Sequence, residues 1–249
     1  MEEQASRILI TGTGASGTQY TSKLLSKLLI SHNKTLDVKH DNEIGEHGIC
    51  SWAFAAQSDD VPWGPKYSLY DFKPILHQVR HPLKTISSAR RLGKTSWEYI
   101  EKKIPEIEAD DSVIVKSMKY WHFWNKKAQK IAQYTYKVED FNEFSHNFIN
   151  KFCHEINCPS LFSSELAIKR FIRVIEDLPR NIGHKNQSPT RAYSVSYIDT
   201  ETGKISTKVS EPQSFSCHTD WLSWQDLKQE NVNLTKKIQQ QAIEYGYEL

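Results

Sequence analysis

The chain has 249 residues, with 32 Lys and Arg against 30 Asp and Glu, a formal net charge of +2 and 38% hydrophobic residues. So near a balance argues neither for nor against a polyanionic partner and leaves local clustering to decide. The sequence holds no apolar run of about twenty residues that would span a membrane, and no apolar signal region follows the charged MEEQASR, so a single domain over 1–249 in a reduced, cytoplasmic setting is expected.

RILIT (7–11) is a short apolar run ending at a glycine and reads as a buried strand. Tyr20, Leu24, Leu25, Leu28 and Leu29 then recur at helical spacing, so a helix follows. TLDVKH (35–40), PILHQVR (74–80) and YTYKV (134–138) read as a second, third and fourth strand, with helical patterns between or after them. That order predicts an α/β fold on a mainly parallel sheet. Ile114, Met118, Trp121, Ala128 and Ile131 mark a long helix between 111 and 133, and Phe141, Phe144, Phe148, Phe152 and Ile156 mark another. Such aromatic stripes belong to cores. SVSYIDTETGKISTKV (194–209) breaks the rhythm: two β-prone runs flank a polar turn at Gly203, which predicts an inserted hairpin. Leu234, Ile238, Ala242 and Ile243 form a last helical stripe, stopped at Gly246. Cys50, Cys153, Cys158 and Cys217 lack the paired spacing of a zinc site, so no metal is expected.

The first loop, GTGASGTQY (12–20), joins a strand to a helix start, where several backbone N–H groups and the helix dipole converge on one spot. Its geometry is that of a phosphate cradle. Gly12 and Gly17 bracket four residues as in a mononucleotide P-loop, but Thr18 and Gln19 stand where that pattern requires Lys and then Ser or Thr. Those two absences count against NTP cleavage, which needs the lysine on the phosphates and the hydroxyl on magnesium. Gly12, Gly14 and Gly17 also meet the dinucleotide spacing G-x-G-x-x-G, with Asp37 or Asp41 in the place of the acidic ribose ligand. A second stretch decides between these. PILHQVRHPLKTISSARR (74–91) is a strand ending in Arg80, a proline turn, and a helix start rich in hydroxyls and positive charge.

GTGASGTQY followed by VRHPLKTISS resembles the two cofactor-binding stretches of sulfotransferases that use 3′-phosphoadenosine 5′-phosphosulfate (PAPS). VKHDNEIGEHGICSW (38–52) is similar to a segment of some bacterial members, YKVEDF (136–141) to a later strand end, and IQQQAIEYGYEL to the closing helix. The resemblance implies a P-loop-like, three-layer α/β/α domain. In it Gly14, Ala15, Ser16, Gly17, Thr18 and Gln19 wrap the 5′-phosphosulfate, while Arg80 and Ser88 hold the 3′-phosphate. An arginine fork and a hydroxyl near a helix start are chemically apt for that second phosphate.

In that family the residue before Ser-Gly-Thr is typically Lys or Arg; here it is Ala15. Lys39 is the candidate replacement cation, near the end of the second strand, with Lys84 behind it. His40 is the candidate general base, with Asp41 or Glu43 orienting it or taking its place. GHKNQSPTR (183–191), with Lys185 and Arg191, is the nearest analogue of the family's basic closing loop, and Trp52, Trp63, Tyr67 and Tyr70 are offered for an acceptor cleft. The expected activity is sulfuryl transfer from PAPS to a hydroxyl of a small-molecule or carbohydrate acceptor, with no nucleic-acid partner and no membrane span. The alternatives are a nucleotide-binding protein of the same fold without transferase activity, and a P-loop nucleotide-dependent kinase.

Overall fold

The computed structural model describes residues 7–26, 29–31, 34–56, 68–141, 151–152, 154–155, 194–198, 205–209 and 221–249. Strand β1 (Arg7–Gly12) runs into helix α1 (Thr18–Leu25), followed by short strands β2 (Leu29–Ser31), β3 (Lys34–Thr35), β4 (Val38–His40) and β5 (Gly48–Cys50). Then come β6 (Phe72–Val79), helices α2 (Pro82–Ala89), α3 (Lys94–Lys103) and α4 (Val113–Ile131), and strand β7 (Tyr134–Lys137). Strands β8 (Ser194–Ile198) and β9 (Ile205–Val209) precede helices α5 (Trp224–Glu230) and α6 (Val232–Glu244).

The sheet has the order β4-β5-β1-β6-β7 and every neighbouring pair in it is parallel. The chain is therefore an α/β protein, as its alternation of strand and helix patterns predicts. Leu9 packs with Ile49, Ile75, Tyr120 and Trp124 on one face. Ile8 and Ile10 turn to the other face and are buried as well, so both faces are covered, as parallel sheets require.

The second strand differs from its expected form. Lys34–Thr35 pairs antiparallel with β2 in a separate ribbon, and only Val38–His40 joins the main sheet, at its edge. β5 stands between it and β1. Three residues, Gly-Ile-Cys, carry no periodicity by which to recognise a strand. Gly48 makes the close pairing possible: a Cβ there would lie 2.0 Å from the Ile8 carbonyl oxygen.

Helix α4 is capped by Ser112, whose hydroxyl accepts the Val115 amide at 3.2 Å. It buries two stripes. Tyr120, Trp124 and Ala128 face the sheet, while Val115, Met118 and Trp121 pack with Ile86 of α2, Leu227 of α5 and Leu234 and Ile238 of α6. β8 and β9 pair antiparallel, from Ser194 opposite Val209 to Ile198 opposite Ile205, so the 194–209 hairpin forms. The chain divides into two compact units, Leu178–Thr219 and the remainder, and the hairpin belongs to the smaller. The helix expected from Phe141 onward lies mostly outside the described residues. Among the described residues no helix is long and apolar enough to cross a membrane.

Two buried histidines tie elements together. His77 on β6 is fully enclosed, 3.0 Å from Asn125 Oδ1 and 3.2 Å from Thr135 Oγ1. His122 on α4 donates through Nδ1 to Gln241 Oε1 of α6 at 2.6 Å. Burial pushes each imidazole down to about 4; Lys126 also lowers His122, while the Asn125 and Gln241 bonds pull the other way. Because the unfolded chain binds these protons near 6.5, it holds more protons than the fold between pH 6.5 and about 4. Their contribution is whole above pH 6.5, falls as the pH drops through that window, and loses nothing further below about 4. Urea unfolding against pH measures it, and a midpoint indifferent to pH across the window would contradict neutral burial of the pair.

Candidate functional site

β1 and β6 meet closely at the top of the sheet: a Cβ on Gly12 would lie 2.1 Å from the Gln78 carbonyl oxygen. Beyond it the chain turns through Thr13 to Gly17, with the Ser16 amide donating to the Thr13 carbonyl at 3.1 Å. Ala15 takes a left-handed conformation with φ 66°, costly for any residue with a Cβ. Gly17 caps α1 with φ 97° and offers no side chain to its amides. The first amides of α1, at Thr18, Gln19 and Tyr20, have no acceptor within the helix and open on this loop.

Three consecutive residues fasten the turn. Gly14 donates its N–H to the Tyr120 hydroxyl at 2.5 Å. The Ala15 carbonyl accepts from Arg80 Nη1 at 3.0 Å, and the Ser16 carbonyl accepts from Gln78 Nε2 at 2.8 Å. Gln78 Oε1 in turn accepts from the hydroxyls of Thr21, at 2.5 Å, and Tyr136, at 2.7 Å. The Gly14 N–H therefore points into the core, and the cradle is left to the later amides. Thr13 Oγ1 and Ser16 Oγ lie in fully buried residues and close no hydrogen bond. Orphaned hydroxyls are uncommon in a finished interior, and both of these lie in the loop.

His40 and Asp41 come to the same loop. His40 Nε2 stands 3.2 Å from Thr18 Oγ1 and 3.4 Å from Asp41 Oδ2. A proton on Nε2 serves both oxygens, an assignment made from the partners, and leaves Nδ1 as the basic nitrogen. Burial lowers the His40 pKa, the Asp41 carboxylate opposes that, and Lys23 adds to it. Burial raises the Asp41 carboxyl, with His40, the Ser51 hydroxyl and the Trp52 amide opposing. Asp41 Oδ1 and Ser51 Oγ nevertheless close no hydrogen bond, and Asp41 is itself left-handed at φ 49°.

The remaining candidates are placed as follows. Lys39 alternates with His40 along β4, so it leaves from the opposite face, where it pairs with Asp37 at 3.3 Å. Lys84 is exposed on α2. Arg80 is half-buried against the loop. Ser88 is half-buried in the last turn of α2, roughly 9 Å along the helix from its first residue. The hydroxyl near that helix start is instead Thr85, which donates to the His81 carbonyl at 3.3 Å. Trp52 belongs to the core with Tyr99, Tyr120 and Trp124, while Tyr70 is 97% exposed. Lys185, Arg191, Trp63 and Tyr67 lie outside the described residues.

Sequence reasoning missed Gln78 and Tyr120. For Gln78 a signal exists: a polar pair, His77 and Gln78, inside an otherwise apolar strand must find partners on burial. Tyr120 carries no such signal, since it sits beside the apolar stripe of a long helix. Comparison with models of known protein families and with curated proteins returns no match to this chain.

Replacing Gln78 by Leu strands the Ser16 carbonyl and the Thr21 and Tyr136 hydroxyls together. The expected loss is about 3 kcal/mol in denaturant unfolding, with equal stability as the result that would dismiss the network.

Proposed function

We propose that the chain is a sulfotransferase of the PAPS-using kind, on a P-loop-like α/β domain. The observation that carries the reading is the loop itself: helix-start amides, two buried hydroxyls without partners and an arginine meet at one end of a parallel sheet. Ligands of open α/β sheets collect at that end. An anion with two separated charged groups suits what is present, since the loop amides serve one and the open donors of the Arg80 fork serve the other.

PAPS, when bound, would supply a sulfuryl group: the acceptor oxygen forms the new bond to sulfur as its hydroxyl loses the proton, the bond from sulfur to the 5′-phosphate oxygen breaks, and 3′-phosphoadenosine 5′-phosphate leaves. The amides of Gly17, Thr18 and Gln19, with the hydroxyls of Thr13 and Ser16, hold the phosphosulfate. Arg80 holds the 3′-phosphate, with Ser88 or Thr85 as its neighbour on α2. His40 takes the acceptor proton on Nδ1, while Asp41 keeps Nε2 protonated and the ring oriented. The acceptor is a small molecule or a carbohydrate.

A second reading has an observation of its own. Ala15 puts no cation on the loop, and the Arg80 bond goes to the Ala15 carbonyl. A protein that binds the nucleotide without transferring sulfate fits that arrangement, because a missing transition-state charge costs about a hundredfold or more in rate.

Calorimetry with 3′-phosphoadenosine 5′-phosphate, against ATP with magnesium and against NAD, tests the cofactor. Tight, metal-independent binding of the bisphosphate alone is expected, and a preference for either control overturns the reading. Arg80→Ala should weaken the bisphosphate by about tenfold or more. With PAPS and an acceptor, His40→Ala should lower kcat by about a hundredfold or more. The wild-type acid limb should lie below pH 6.5, in keeping with a histidine lowered by burial. Binding without turnover in the wild type would select the second reading.

A further inference from the structure

The corner beside Arg80 contains a carboxylate that the loop does not use. β7 ends at Lys137, and a 3-10 turn over Val138–Phe141 brings the chain against the loop. A Cβ on Gly17 would lie 3.1 Å from the Val138 side chain. The next residue is Glu139. Its Oε1 accepts the amide of His81, the residue after Arg80, at 3.2 Å, and its Oε2 accepts the Tyr247 hydroxyl at 2.9 Å. Tyr247 is itself held firmly. Its ring stands edge-on to His81 with centroids 5.4 Å apart, the Lys137 ammonium lies 5.5 Å from its centre, and its amide donates to the Ala242 carbonyl at 3.0 Å. Lys137 is spoken for as well, paired with Asp140 at 3.4 Å and bonded to the Gly246 carbonyl at 3.2 Å.

Both oxygens of Glu139 thus rest on neutral donors. Among the described residues Arg80 makes no ion pair, although the carboxylate is close enough to support its positive charge through space. A carboxylate in contact would occupy the fork. One held beyond ion-pair distance leaves the fork open, keeps the guanidinium charge supported, and weakens the pull on any arriving anion.

We infer that Glu139, restrained by the His81 amide and the Tyr247 hydroxyl, is the built-in counter-ion of Arg80 and sets how tightly the second phosphate of a nucleotide is held there. Glu139 is in this sense a positioning and specificity residue, acting on the ligand through Arg80. The inference rests on the proposed function and adds to it a determinant of bisphosphate over monophosphate.

The quantity to measure is the ratio of affinities for 3′-phosphoadenosine 5′-phosphate and adenosine 5′-monophosphate, which differ only at the 3′ position. Glu139→Gln keeps a side chain able to bond both neighbours and removes the charge, so the ratio should rise about tenfold at low salt and less at high salt. Tyr247→Phe acts in the opposite sense: one oxygen is released, the carboxylate swings onto the fork, and the ratio should fall several-fold. A Glu139→Gln ratio that stays put or falls overturns the inference, as does a Tyr247→Phe ratio that rises. A purely structural role for the pair would move both nucleotides together and leave the ratio unchanged. If the wild-type protein binds neither nucleotide, the proposed function itself fails; if it binds both and only the ratio is unmoved, the counter-ion alone is dismissed.

Discussion

A buried primary amide with no access to water must find every partner within the protein, and Gln78 shows what that demand can organise. Its side chain gives one hydrogen bond to the loop carbonyl at Ser16 and receives two, from Thr21 on α1 and Tyr136 on β7. One residue on β6 therefore joins the loop, the helix that follows it and the neighbouring strand. Unpaired, any of these groups would weigh against folding, so the four elements settle in one mutual arrangement. The loop's shape follows from this constraint together with the Tyr120 and Arg80 contacts on its adjoining residues.

A turn fastened at three successive residues loses little further freedom when a ligand arrives, and the ordering cost of binding falls accordingly. The same fastening explains a conformation that Ala15 would otherwise avoid. Its left-handed backbone turns its carbonyl to Arg80, and a charged donor offsets part of the strain. Helix α4 supports the arrangement from beneath, since Tyr120 lies in a buried cluster with Trp52, Trp97, Tyr99 and Trp124.

Charge at the site is managed by distance as much as by contact. His40 and Asp41 sit close enough to share a proton's influence, with burial disfavouring the ionised form of each. Arg80 and Glu139 stay apart, each bonded to neutral groups. The first arrangement keeps a basic nitrogen free at neutral pH. The second keeps a guanidinium fork open beside a helix start.

Much of the fold was legible because period and punctuation are local properties. The apolar run before Gly12, the spacing along 113–131 and the β-prone runs around Gly203 each report a single element's exposure, and they marked β1, α4 and the hairpin of β8 and β9. The glycine loop and Arg80 were legible for the same reason, as a strand end followed by a helix start. β5 was not: three residues are too few for a pattern, and their pairing depends on how closely Gly48 can approach a strand forty residues away in sequence. Nor was the side of the sheet that Lys39 would leave from, or the position of Ser88 at the far end of a two-turn helix. Composition and order thus determined an α/β chain with a glycine-rich loop between its first strand and first helix. Only the tertiary structure decided which side chains hold that loop, because Tyr120 reaches it from α4 and Gln78 and Arg80 from the end of β6, and their hydrogen bonds exist only once the sheet and α4 have closed around it.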